Sequence, residues 1–261
     1  MLFDIRGRRK HVVRVVYAIL ALLMGASLFL VVGPFNIASL IGNGGSSTSA
    51  AKILQEQAER TEAKLRREPN NETLQVALIH QRIGAANALT EVSSETGATS
   101  ITAEGIKELE RGVDGWNAYV KQAKEPKATT AALVSNGYFT LAQSSGGNIE
   151  AIEENLDGAA KAQRIAVEAQ PTVNSLTTLA IYEYFLGNFA GGDKATSEAE
   201  AQAGGKAEAK EIAKQMALYR KNGKAFQKQK KLAEKQESSA SKESLENPLS
   251  GLSGGPSGPG G

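Results

Sequence analysis

The sequence predicts an all-α protein: one membrane-spanning helix near the N-terminus, then a domain of antiparallel helix pairs. Three observations predict it. The eighteen residues from Val15 to Val32 carry no charge, about the minimum for crossing a bilayer core. Residues 51–235 are filled by runs of helical period punctuated by Pro and Gly, whereas strand-like runs of Val, Ile, Thr and Tyr are scarce. Finally, Leu133–Phe139 and Leu179–Phe185 both open on Leu and close on Tyr-Phe, 46 residues apart, as though one helix occurred twice.

Residues 1–14 form a basic leader. Arg6, Arg8, Arg9, Lys10 and Arg14 precede the apolar run, and the next basic residue is Lys52. The positive-inside rule then holds the N-terminus in the cytoplasm and puts the remainder outside, which predicts a single-pass protein of the cytoplasmic membrane. Residues 15–41 are read as an uncleaved signal anchor and its exit, with residues 15–32 inserted. A cleaved leader is the alternative, but the exit offers only a poor Ala-x-Ala-like site near Ala38.

Residues 42–50 are rich in Gly and Ser and predict a flexible tether. The repeat domain follows over 51–205. A charged helix over 51–68 stops at Pro69, which cannot continue the hydrogen-bond ladder. A second, over 72–90, places Leu74, Ala77, Leu78 and Gln81 on one face, and a turn-rich loop follows at Ser93–Ser100. The third, over 102–123, has Thr102 as its cap and a stripe of Leu109, Val113, Trp116 and Val120. Helices over 128–143 and 149–169 end at the Ser-Ser-Gly-Gly-Asn run and before Pro171. A sixth holds Leu179–Phe189, Ala190–Asp193 separates it from a seventh, and Asp193 caps that one. Residues 206–235 predict a basic capping helix, interrupted at Asn222-Gly223. The tail, 236–261, has too little apolar surface to offset ordering entropy and is expected to be disordered.

Pro69, Pro126 and Pro171 each close one helix just before the next. Leu176, Leu179 and Ala180 have three-then-one spacing, and Leu186–Phe189 reads Leu-Gly-Asn-Phe. Ala159, Ala166 and Pro171 give a small-small-proline pattern, and Gly112, Trp116 and Tyr119 take the corresponding second-helix places one unit earlier, with Pro126 about two residues late. In these features the chain resembles the tetratricopeptide repeat (TPR) family over residues 52–235, which implies a TPR-like α-solenoid. Glu183 and Gly192 depart from it, standing where an aromatic and an Ala are usual. The leader, tether and repeats together look like the membrane-anchored TPR-like proteins of bacteria.

The resemblance implies a concave face lined by Asn174, Thr177, Ile181, Tyr184 and Phe185, with Tyr138 and Phe139 as equivalents one unit earlier. These seven form a candidate peptide groove, because aromatics give large contact area at low entropy cost. The competing reading makes both Tyr-Phe pairs packing between repeats.

Chemistry for catalysis is thin. With no Cys and only His11 and His80, neither a thiol nucleophile nor the usual zinc site can be assembled. Glu150, Glu153, Glu154 and Asp157 read as a solvated helix face near an N-terminus rather than an acid–base pair. No catalytic, metal or cofactor residues are therefore assigned, and a non-enzyme is expected. The net charge of +2 gives no argument for nucleic acid. It conceals an acidic stretch, Asn148–Glu200, with nine acidic against three basic residues, beside Lys206–Lys235, with ten basic against three acidic. That basic end suits anionic lipid headgroups or an acidic partner, or else only the polar outside of a capping helix.

The expectation is a membrane-anchored scaffold or chaperone-like accessory that binds protein or peptide in export or envelope assembly. The rival is a self-associating helical spacer, which would form a homo-oligomer.

Overall fold

The computed structural model describes residues 47–92 and 99–246, with side-chain surroundings over 49–91 and 100–235. The leader, the apolar segment 15–32, its exit to 41, the tether up to residue 46 and the tail from residue 247 lie outside the described residues. Among the described residues, no helix is long and apolar enough to cross a membrane.

The described chain is all-α apart from one two-stranded ribbon. Its elements are α1 (Ser47–Leu65), α2 (Glu72–Ala88), β1 (Thr90–Val92), β2 (Thr99–Ile101), α3 (Ala103–Val120), α4 (Ala128–Ser144), α5 (Ile149–Ala169), α6 (Val173–Phe185), α7 (Phe189–Ala201) and α8 (Lys206–Glu246). Helices consecutive in sequence pack on one another, most extensively α4 on α5, α2 on α3, α1 on α2 and α6 on α7. The α4–α5 and α6–α7 connections span only a few residues, which makes those partners antiparallel. The last helix, α8, lies against both α6 and α7.

Side-chain caps set most of the helix starts. Asn71, Thr102, Asn148 and Asn188 each accept a hydrogen bond from the backbone N–H three residues on, and Thr172 forms a reciprocal capping box with Ser175. The α6–α7 turn places Gly187 at φ 83°, in the left-handed region that favours glycine.

One continuous core runs from Ile79 and Ile83 on α2 through Leu109, Val113 and Trp116 on α3 to Tyr182, Phe185 and Phe226. Tyr119 ties three elements together. Its buried ring lies beside Trp116, and its hydroxyl donates to Glu72 at 2.9 Å while accepting from the Lys127 N–H at 3.2 Å.

Several expectations are corrected. Ser47–Ala50 belong to α1 rather than to a flexible tether. Part of the expected Ser93–Ser100 loop is strand: Thr90, Glu91 and Val92 pair with Ile101, Ser100 and Thr99, where Thr, Val and Ile favour extended backbone. On α2 the deeply buried residues are Ile79, Arg82, Ile83 and Ala86, while Leu74, Ala77, Leu78 and Gln81 are half-buried. Ala190–Asp193 is no break, because α7 starts at Phe189 with Asn188 as its cap. Asn222-Gly223 does not interrupt α8 either, and that helix runs on to Glu246, through the first part of the expected disordered tail. Extending an established helix needs no new nucleus, so weak propensity suffices there.

Candidate functional site

The seven groove candidates divide unevenly. Tyr138, Phe139, Thr177, Ile181, Tyr184 and Phe185 are buried, and Asn174 is exposed. The Phe139 ring meets Tyr182 at 5.4 Å between centroids, linking α4 to α6. Phe185 stands edge-on to Phe226 of α8 at 5.8 Å, and Gln227 donates to the Phe185 carbonyl at 2.6 Å. The Tyr138 hydroxyl donates to Asn117 Oδ1 at 2.8 Å. The Tyr184 hydroxyl shares hydrogen bonds with Asp193 and Thr196. Both Tyr-Phe steps are therefore core in this fold, and the correction has a physical cause: α8 covers the second step, and each Tyr ring lies on the second helix of its own pair.

That packing repeats. In each of three pairs a glycine on the second helix faces a large side chain on the first: Gly112 meets Ile83, Gly158 meets Tyr138 and Gly192 meets Tyr184. A Cβ at any of the three would come closer than van der Waals contact allows, so the helices approach through the missing side chain. Gly223 of α8 does the same against the Tyr184 backbone carbonyl.

Charged groups at the pair boundaries are held in networks. Arg82, almost fully buried, donates to Glu108 at 2.7 Å and to Glu62 at 2.6 Å, joining α1, α2 and α3. Glu183 accepts from both Arg164 Nε and Nη2, at 3.0 and 2.6 Å, and from Asn188. Here a carboxylate closes the helix ends of α5, α6 and α7. Asp193, instead of capping α7, pairs with Arg220 through both oxygens, and the hydrogen bond from Arg220 is the main cause of its lowered pKa. Of the acidic group on α5, Glu153 pairs with Lys230 at 2.5 Å and Asp157 with Lys161 at 2.6 Å. Among the described residues no cluster of His, Asp or Glu is arranged to hold a metal ion.

Two surfaces lie open on this frame. The first belongs to α4, which has no charged residue anywhere in its seventeen. Thr129 and Asn136 are exposed on it, with Ala132, Leu133, Thr140 and Gln143 half-buried beside them. His80 of α2 borders this strip and hydrogen-bonds Thr130 at 3.0 Å. Burial, and then the nearby Lys127 charge, lower the His80 pKa from 6.5. This neutral strip was legible in the sequence as a charge gap in a chain that is 22% charged, but the Tyr-Phe pattern in the same helix draws attention away from it. The second surface is the outward side of α8, which is basic. No family model, curated protein or solved structure matches this chain.

Proposed function

We propose that this chain is a membrane-anchored, TPR-like adaptor that binds polypeptide, with residues 15–32 in the cytoplasmic membrane and the helical domain on its outer side. It acts there as a scaffold or chaperone-like accessory in protein export or envelope assembly. The observation that carries the reading is the recurrence of one packing device, glycine against a large side chain, in three successive helix pairs. Such recurrence supports a solenoid, in which each repeat contacts only its neighbours and one face stays available along the stack.

The available face on the middle pair is the uncharged strip of α4. The exposed hydroxyl of Thr129 and amide of Asn136 can both donate and accept, which suits the alternating N–H and C=O groups of an extended chain. The half-buried Leu133 adds apolar contact between them.

A photo-crosslinking residue placed at Asn136 of the full chain, in intact cells, tests this. Adducts with exported polypeptides at position 136, and none at Lys161 on the exposed side of α5, are expected. Equal labelling at both positions, or none at 136, removes the binding face. Protease digestion of spheroplasts checks the topology separately: an epitope at the C-terminus should be lost on digestion from outside, and its protection would put the domain in the cytoplasm.

A further inference from the structure

The outward side of α8 is unlike the rest of the surface. Ile212, Met216, Tyr219, Gly223 and Phe226 are buried against the body and fix the rotation of the helix. With 3.6 residues per turn, the opposite side collects Lys214, Leu218, Lys221, Lys228, Leu232 and Lys235. All six are exposed, and Leu218 at 58% and Leu232 at 50% are two of the three large hydrophobic side chains standing out among the described residues. Each leucine has a lysine four residues before it and another three residues after it. The two leucines are fourteen positions apart, which is about 21 Å along the axis. Lys214 at the near end of the stripe lies 3.9 Å from Glu211, which is itself largely exposed.

We propose that this stripe is a docking face for an anionic phospholipid bilayer surface. Ammonium groups seek the headgroup phosphates, and leucines between them reach the acyl boundary while the lysine stems extend up to the phosphate layer. An acidic protein or a nucleic acid would satisfy the lysines but leave the leucines standing between paired charges. A second copy presenting the same stripe would set lysine against lysine.

The proposal rests on the anchor reading for proximity. Fourteen residues, 33–46, lie between the apolar segment and α1, and they reach at most about 50 Å. Three helix pairs stacked at about 10 Å per layer span about 30 Å, so α8 at the far end of the stack stays within reach of the same membrane. Tethering of this kind converts weak surface affinity into stable contact through effective concentration.

The chain contains no Cys, so single-cysteine labelling is clean. Leu218→Cys carrying an environment-sensitive dye is reconstituted as the full chain in vesicles of phosphatidylcholine alone or mixed equally with phosphatidylglycerol. The expected result is a blue-shifted emission, quenched by brominated acyl chains, in the anionic vesicles only. A control dye at Lys161→Cys should not respond. Replacing Lys214, Lys221 and Lys228 with Gln should abolish the shift, because each lysine near an anionic surface contributes about fivefold in affinity and three about a hundredfold. Identical spectra in the two lipids, or an equal response at position 161, overturn the proposal. Alkaline extraction reads the anchor independently: if the chain washes off, it is added to preformed vesicles and the same lipid contrast is measured.

Discussion

Gly112 and Gly115 sit one turn apart on α3, yet their replacements should act in opposite directions. A Cβ on Gly112 would stand 2.8 Å from Ile83, whereas one on Gly115 would meet Ile79 at an ordinary 3.4 Å. Gly112→Ala is therefore expected to destabilise by about 1–3 kcal/mol through overpacking. Gly115→Ala should stabilise by about 0.5–1 kcal/mol, since it removes only the conformational cost of glycine in a helix. Urea titration of the two variants checks both signs. His80 gives a second residue-scale expectation. Its folded pKa lies below the ordinary 6.5, so the unfolded chain takes up the proton first as pH falls. The contribution of His80 is complete above pH 6.5 and is lost as pH falls below that value through the folded pKa. His80→Gln should flatten that part of the stability profile, measured by denaturation across the acid range.

At the scale of the element, α8 completes the core. It supplies Phe226 to Phe185 and Gln227 to the Phe185 carbonyl, and it brings Arg220 over the Phe189 ring at 5.6 Å. A chain truncated after Gly205 exposes Tyr184 and Phe185 together, so it should bind a hydrophobic dye and lose cooperative melting. Truncation after Lys235 should leave the melt unchanged, because among the residues whose side chains are described the last buried one on α8 is Phe226, and the Lys230–Glu153 pair is kept. These two truncations also mark what the sequence could tell. Helix existence and the apolar stripe of α3 were legible because period and proline act locally. The roles of Gly192 and Gly223 were not: glycine reads as a breaker unless one knows that a ring or carbonyl from a distant helix fills the missing Cβ. Burial of Tyr184 and Phe185 was hidden for the same reason, since the helix that covers them lies some forty residues further along. The two short strands flanking a turn-rich stretch were too brief to stand out from a loop.

For the whole molecule, the continuous core has a consequence for unfolding. Arrays of repeats can melt piecemeal when their interfaces are weak, but here buried residues connect α2 to α8 without a gap. Fluorescence of Trp116, the single Trp, reports on α3 near one end, and far-ultraviolet dichroism reports on all helices. The two transitions should coincide in denaturant. A lag between them would divide the stack into independently folding pairs. The arrangement of α8 also bears on force. Its 41 residues extend about 60 Å as one unbroken rod, roughly twice the depth of the stack against which its first half is pinned. Tension applied along the rod shears Met216, Gly223 and Phe226 simultaneously, whereas a sideways pull on its distal half works as a crowbar about Lys230 and parts those contacts one after another. The same helix is thus stiff to a load along its length and yielding to one across it, a directional hinge line at the edge of the domain.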